Sequence, residues 1–167
     1  VGAPEALVQK LPRPINKADT EALMKLADLV VATGSQNNIR SAYSSGTPAV
    51  GVGAGNVSVI VDETANLAEA AQKIVASKIF DNATSCSSEN SVVALAPVYD
   101  ALVAALESQG AKMLTAHEQE NLQQLMWPDG KLNPAIIAQP AWQIASMAGI
   151  DCDAESGIKV LLVQESK

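Results

Sequence analysis

The chain alternates between short apolar runs and longer segments in which apolar residues recur every three to four positions. The short runs predict strands, and the periodic segments predict amphipathic helices. The predicted strands cover residues 28–32, 47–52, 57–61, 91–96, 112–115 and 158–163. The predicted helices cover residues 20–27, 37–45, 65–78, 98–108, 117–126 and 140–148. This order predicts an α/β protein with parallel strands.

Two details of this pattern are specific enough to test. Asp19 is the expected N-cap of the first helix, since its carboxylate can accept the free N–H groups of the first turn. The run Leu29-Val30-Val31 is continuous and apolar, which predicts a strand buried on both faces. Residues 1–17 carry three prolines and predict an extended connection.

Composition supports a folded core made of aliphatic side chains. Of the 167 residues, 48% are apolar, while the aromatic residues are two Trp, two Tyr and one Phe. The net charge of −7 argues against nucleic acid as a partner. No apolar run reaches the roughly 18 residues that suggest a membrane span, and no signal peptide is evident. Two cysteines and one histidine without metal-ligand spacing predict no metal site. We expect a reduced, cytoplasmic protein.

The most distinctive chemistry lies between the third helix and the fourth strand. Cys86 stands in the run Thr-Ser-Cys-Ser-Ser, whose small side chains leave a thiol accessible and can donate hydrogen bonds to an oxyanion. One interpretation is an exposed nucleophile. The other is a small structural cysteine buried in a polar turn, because free cysteine is often buried.

Two glycine-containing turns could approach a ligand. Thr33, Gly34 and Ser35 join a strand to a helix, and the N–H groups of such a helix start can face an anion. Gly53 and Gly55 belong to a run in which glycine alternates with other residues, which permits close backbone approach. On their residues alone, the alternatives are an ordinary βα turn for the first segment and a strand crossover or bulge for the second. The chain has no G-x-G-x-x-G dinucleotide fingerprint in either place.

Longer stretches of sequence resemble a known family. The string FDNATSCSSENSVV at residues 80–93 is similar to the nucleophile loop of the aldehyde dehydrogenase superfamily, with Phe80 six residues before Cys86. It most resembles the CoA-acylating branch, which converts an aldehyde, NAD and coenzyme A into an acyl-CoA. The string VVATGSQNNIRSAYSSGTPAVGVGAGN at residues 30–56 also resembles that branch.

The resemblance implies part of an aldehyde dehydrogenase fold, which is an α/β fold with three layers in the order αβα. Residues 1–52 would form the C-terminal part of the NAD-binding domain, and residues 53–167 would form the N-terminal part of the catalytic domain. Cys86 would be the catalytic nucleophile. Thr33, Gly34 and Ser35 would lie against NAD or NADP, and Gly53 and Gly55 would form a wall beside the cofactor.

The resemblance also favours coenzyme A over water as the acyl acceptor. Hydrolytic members use a glutamate in a segment that aligns with residues 52–56, and this chain has Val52 in its place. Valine cannot accept a proton, so the water route lacks that base. A hydrolytic dehydrogenase with another base and a non-catalytic α/β scaffold remain alternatives. The motif around Cys86 is most similar to enzymes of sulfoacetaldehyde or another small aldehyde, including acetaldehyde.

Other polar residues near these motifs are expected to have minor roles. His117 should be a surface or capping residue of its helix. Cys152 stands between two aspartates, which should raise its pKa and make it a poor nucleophile. Glu89 and Glu63 should be solvated or capping residues, and nothing in the sequence assigns Asn82 to the oxyanion.

Family members are much longer than 167 residues. We therefore expect an internal fragment that is inactive alone and belongs to a homo-oligomer when complete.

Overall fold

A computed structural model of the chain describes residues 2–53 and 55–165. The chain divides into two compact units, Val1–Gly55 and Asn56–Lys167. Each unit combines helices with parallel strands, which confirms the predicted α/β class. The assignment of residues 1–52 and 53–167 to cofactor and catalytic domains stays a prediction, and its outer limits, Val1 and Lys167, lie outside the described residues.

Among its described residues, the first unit contains one pair of parallel strands and two α-helices. In chain order, these are α1 (Lys17–Leu26), β1 (Val30–Thr33), α2 (Gln36–Tyr43) and β2 (Ala49–Val52). The register places Val30 opposite Ala49 and Thr33 opposite Val52. Both strands therefore end at the same edge of the sheet.

The helices of this unit cover one face of its sheet. Val30 and Ala32 pack with Ile39 and Ala42 of α2. Val31, which points the other way, is 70% exposed, so the prediction of a strand buried on both faces is wrong for this chain. The side chains of β1 alternate between buried and exposed because successive residues of a strand face opposite sides.

The first helix begins earlier than predicted because a different residue caps it. Asn16 accepts the backbone N–H of Asp19 through its side-chain oxygen at 2.8 Å. Its amide nitrogen also donates to the Asp19 carboxylate at 2.7 Å. Asp19 is therefore the reciprocal partner of the cap inside the first turn, and the prediction that it is the N-cap is wrong.

The described part of the second unit contains four α-helices and two further pairs of parallel strands. Strand β3 pairs with β4, and β5 pairs with β6. The elements are β3 (Val57–Val61), α3 (Leu67–Ile79), β4 (Glu89–Ala94), α4 (Tyr99–Ser108), β5 (Ala111–Met113), α5 (Ala116–Met126), α6 (Ala141–Met147) and β6 (Val160–Leu162).

Two apolar clusters hold the second unit together. The larger one joins α3 and α4 to β3 and β5 through Val61, Ala71, Val75, Leu102, Leu106 and Ala111. The smaller one joins α5 and α6 through Leu114, Leu122, Ala145, Ala148 and Ile150. The larger cluster also contacts Val92 and Ala94 of β4, and Cys86 lies between α3 and β4 along the chain.

Candidate active site

The nucleophile loop, defined here as Phe80–Ser88, leaves α3 directly and ends just before Glu89, the first residue of β4. Its first part has an unusual backbone. Asp81, Asn82 and Ala83 have φ values of 50°, 47° and 60°, all in the left-handed region. Such conformations are uncommon outside glycine and cluster at functional sites. The geometry turns the chain sharply before Cys86.

Cys86 occupies a tight turn at the end of this loop. The backbone N–H of Ser88 donates to the carbonyl oxygen of Ser85 at 3.2 Å, which closes a four-residue turn around the cysteine. The Ser88 hydroxyl donates to the same carbonyl at 2.9 Å. Ser88 is 3% exposed, whereas Cys86 is exposed. The turn therefore presents the thiol outward, and the alternative of a buried cysteine does not hold.

The surroundings of Cys86 suit a developing oxyanion. Within the described part of the chain, the Cys86 N–H donates no hydrogen bond and is available to a ligand. The hydroxyls of Ser85 and Ser87 lie 2.9 Å apart and are joined by a hydrogen bond in which either can be the donor. A free backbone N–H beside the thiol can stabilise the charge that forms when a thiolate attacks a carbonyl.

The Asn82 side chain has a structural task. Its amide nitrogen donates to the backbone carbonyl of Ala138 at 2.9 Å. This bond ties the left-handed part of the loop to the segment before α6. Nothing in the geometry aims this amide at Cys86.

The candidate cofactor residues of the first unit meet at one sheet edge. Thr33 is the last residue of β1, and Gly34 follows with φ of 107°, a conformation that favours glycine. Ser35 is the N-cap of α2, and its hydroxyl oxygen accepts the N–H of Asn38 at 3.3 Å. The carboxyl ends of parallel strands are the usual position of ligands in α/β proteins.

Gly53 lies at the same edge, and Gly55 does not share its contacts. A Cβ atom added to Gly53 would lie 2.6 Å from the side-chain nitrogen of Gln36, the first residue of α2. A Cβ atom on Gly55 would meet no heavy atom within 4 Å. The structure thus brings Thr33, Gly34, Ser35 and Gly53 together, while the space that a Cβ on Gly55 would occupy is open.

The remaining candidates follow the expectations in part. His117 is exposed in the first turn of α5. Cys152 is half-buried and its thiol donates to the carbonyl of Trp142 at 3.3 Å. Burial raises the pKa of this thiol, and Asp151 and Asp153 raise it further. The predicted direction is confirmed, but burial rather than the aspartates is the larger cause.

Glu89 differs from its expected solvated role. It begins β4, and its Oε2 atom is buried without a hydrogen-bond partner among the described residues. No local sequence pattern predicts this burial, because it depends on how β4 joins the sheet.

The described residues hold neither a group of metal ligands nor a helix suited to crossing a membrane. In residues 2–53 and 55–165, no three His, Cys, Asp or Glu side chains are grouped as metal ligands. No helix there has the length and apolar character that crossing a membrane requires.

Comparison with known proteins connects this loop to a family. The sequence model of the aldehyde dehydrogenase family matches residues 1–145. A sulfoacetaldehyde dehydrogenase (acylating) of Cupriavidus necator is 52% identical over 165 residues, which cover 99% of this chain and 34% of the relative. The chain therefore spans about a third of the length of this relative.

Solved structures of similar proteins have the same fold. A propionaldehyde dehydrogenase of Rhodopseudomonas palustris, with bound CoA and an acylated cysteine, matches 87% of this chain and 34% of its own with a TM-score of 0.77 and 32% identity. An engineered glycolyl-CoA reductase with bound NADP+ matches 89% of this chain and 34% of its own with a TM-score of 0.80 and 34% identity. These likenesses confirm the predicted aldehyde dehydrogenase-like fold.

Proposed function

The chain belongs to the aldehyde dehydrogenase family, and on this basis we propose that it supplies the nucleophile and part of the cofactor site of a CoA-acylating aldehyde dehydrogenase. The intact protein would oxidise a small aldehyde to its acyl-CoA. Sulfoacetaldehyde is the first candidate substrate, because a sulfoacetaldehyde dehydrogenase (acylating) is 52% identical to this chain. Acetaldehyde is the second.

The observation that carries this proposal is the presentation of Cys86. Its thiol is exposed on a turn whose neighbouring side chains are small, and its own N–H is unoccupied in the described part of the chain. A thiolate at this position would attack the aldehyde carbon, and the Cys86 N–H would stabilise the resulting oxyanion.

Cys86 would then hold the acyl group as a thioester. When the carbonyl re-forms, a hydride leaves the former aldehyde carbon; a bound nicotinamide cofactor would supply the hydride acceptor. A thiol suits both halves of the reaction, since it attacks well and later leaves well from the acyl-enzyme.

The residues at the sheet edge of the first unit fit a dinucleotide. Gly34 and Gly53 keep the backbone open where a Cβ would intrude or be strained. Ser35 starts α2, and Thr33 adds an exposed hydroxyl beside it. We propose that Thr33, Gly34, Ser35 and Gly53 contact the cofactor, with Gly55 following on the same glycine-rich segment.

The acyl group on Cys86 must be transferred to an acceptor, which is either coenzyme A or water. Val52 stands where hydrolytic members have their glutamate, and its side chain cannot take a proton from water. We therefore propose that the thiol of coenzyme A accepts the acyl group. In this transfer Cys86 leaves as a thiolate, and no carboxylate is needed to activate water.

Product analysis tests the proposal directly. The intact protein is incubated with sulfoacetaldehyde or acetaldehyde and either NAD or NADP, with and without coenzyme A. We expect acyl-CoA in amounts equal to the reduced cofactor, loss of activity in Cys86→Ala, and normal activity in the control Cys152→Ala. Free acid formed equally well without coenzyme A would identify a hydrolytic enzyme, and absence of any turnover would favour a scaffold.

A further inference from the structure

The base of the nucleophile loop contains charged groups that the proposed chemistry does not use. Lys78 lies in the last turn of α3, just before the loop. Its ammonium donates to the side-chain oxygen of Asn90 at 2.7 Å. Asn90 is the second residue of β4, just after the loop. One hydrogen bond therefore joins the two ends of the segment that carries Cys86.

Asn90 itself is an irregular residue of the sheet. Val57 of β3 is opposite Glu89, but the next residue, Ser58, is opposite Ser91. Asn90 is thus the extra residue of a β-bulge. A bulge leaves its residue outside the regular ladder and redirects the neighbouring side chains, and bulges are common beside active sites. The Lys78 ammonium provides the Asn90 side chain with a charged partner.

Glu89 adds a second reason for a cation at this position. Its Oε2 atom is buried and has no hydrogen-bond partner among the described residues. A buried carboxylate oxygen without a hydrogen bond is costly unless an opposite charge is close. Burial lowers the pKa of the Lys78 ammonium, and the negative charge of Glu89 partly raises it again. The charge of Glu89 thus acts on the Lys78 ammonium at a distance, since the ion pairs within 4.0 Å among the described residues do not include these two groups.

We propose that Lys78 is a positioning residue for the Cys86 nucleophile, acting through the Asn90 bulge and the Glu89 carboxylate. The ammonium fixes the start of β4, and the start of β4 fixes Ser88, whose N–H and hydroxyl close the turn around Cys86. This inference rests on the function proposed for Cys86. It assigns no contact between Lys78 and the reacting atoms.

Four variants separate this role from a general effect on the fold. Lys78→Met removes the charge and the donor, and Lys78→Arg retains both. Asn90→Ala removes the acceptor and leaves the Lys78 charge in place. It therefore tests the hydrogen bond between Lys78 and Asn90 even if Lys78→Met folds poorly. Lys73→Met is the matched control, because Lys73 lies on the same helix in an exposed ion pair with Glu69 at 2.6 Å.

The first readout is the hydrogen-exchange rate of the Ser88 amide, which NMR measures in this chain. Removing a hydrogen bond to a charged group should speed exchange of this amide by roughly tenfold or more. We expect that change in Lys78→Met and Asn90→Ala, and not in Lys73→Met. The amides of α4 should keep their wild-type rates, since the change is confined to the loop and its attachment.

The second readout is the steady-state kinetics of the intact protein. A displaced nucleophile should lower kcat by up to about 100-fold in Lys78→Met, with KM for the aldehyde unchanged. Lys78→Arg should recover most of this loss, and Lys73→Met should match the wild type.

Unchanged exchange of Ser88 in both Lys78→Met and Asn90→Ala would overturn the proposal. So would faster exchange throughout α3 and α4, because Lys78 would then support the fold in general. If the wild-type protein forms no acyl-CoA, the proposed function fails, while the Ser88 exchange rates still decide whether Lys78 braces the loop.

Discussion

Ala83 has a left-handed backbone conformation that its side chain disfavours. Its φ of 60° follows two residues, Asp81 and Asn82, with similar values. Aspartate and asparagine tolerate this region because their short polar side chains can hydrogen-bond locally, but the Cβ of alanine adds about 1–2 kcal/mol. The loop therefore contains local strain three residues before Cys86, as active-site segments often do.

Glycine at this position should relieve that strain. We expect Ala83→Gly to raise the free energy of unfolding by about 1 kcal/mol in urea denaturation. The control is Ala76→Gly in the middle of α3, where glycine should lower it by about 0.5–1 kcal/mol. If both variants lose stability equally, the left-handed geometry of Ala83 is contradicted.

At the scale of single residues, the sequence predicted what depends on local composition. The exposure of Cys86 follows from its small polar neighbours. The contact between Lys78 and Asn90 could not be predicted, because it depends on a bulge that forms only when β4 meets β3. The buried oxygen of Glu89 has the same origin.

At the scale of elements, helix α5 has a complete capping box. The N–H of Glu118 donates to the Thr115 hydroxyl oxygen at 3.3 Å, and the N–H of Thr115 donates to the Glu118 carboxylate at 2.8 Å. Lys112 also forms an ion pair with this carboxylate at 3.1 Å. The bond from the Thr115 N–H is the largest cause that holds the pKa of Glu118 below its ordinary value of 4.5.

This lowered pKa gives the capping box a pH dependence. Because the folded-state pKa lies below the unfolded one, the stabilisation is present above about pH 4.5 and is lost as the pH falls through the folded-state pKa. Glu118→Gln should lower the free energy of unfolding by a few tenths to about 1 kcal/mol at neutral pH.

Urea denaturation from pH 7 to about pH 3 measures this effect. Glu118→Gln should lose less stability on acidification than Glu120→Gln, which makes the same charge change at an exposed position of α5. Equal losses in the two variants would show that the capping box contributes nothing to the loss of stability at low pH.

The type and order of the helices and strands could be predicted from periodicity, whereas several boundaries could not. Strand β4 begins at Glu89, two residues before its predicted start, because the bulge lets Glu89 pair with Val57. Helix α1 begins at Lys17 because Asn16 caps it. The signature of the α5 cap, Thr115 followed by Glu118, was present in the sequence and could have been used.

At the scale of the whole molecule, each unit has an apolar sheet face that its own helices leave exposed. Val31 and Val52 are 70% and 60% exposed in the first unit, and Ile60 and Val93 are 76% and 53% exposed in the second. Parallel strands of this composition are usually covered on both faces. The apolar composition that predicted burial on both faces is therefore present in these strands. Within this chain, however, only one face of each of these two sheets is buried.

Substitutions on the two faces of β3 should differ sharply. We expect Ile60→Thr to change the free energy of unfolding of this chain by less than about 0.5 kcal/mol, since the side chain already faces water. Val61→Ala should cost roughly 1–3 kcal/mol, because Val61 is 2% exposed within the larger cluster. Similar losses from both, measured in urea, would contradict the exposure of the outer face.

The central claim is that Cys86 holds the acyl group as a thioester that coenzyme A removes. The most direct measurement is the mass of the intact protein after aldehyde and NAD or NADP are added without coenzyme A, with the adduct located by peptide mass spectrometry. We predict one acyl group on the peptide containing Cys86, released as acyl-CoA when coenzyme A is added and absent from Cys86→Ala. An acyl group on Cys152, or release at the same rate without coenzyme A, would contradict the claim.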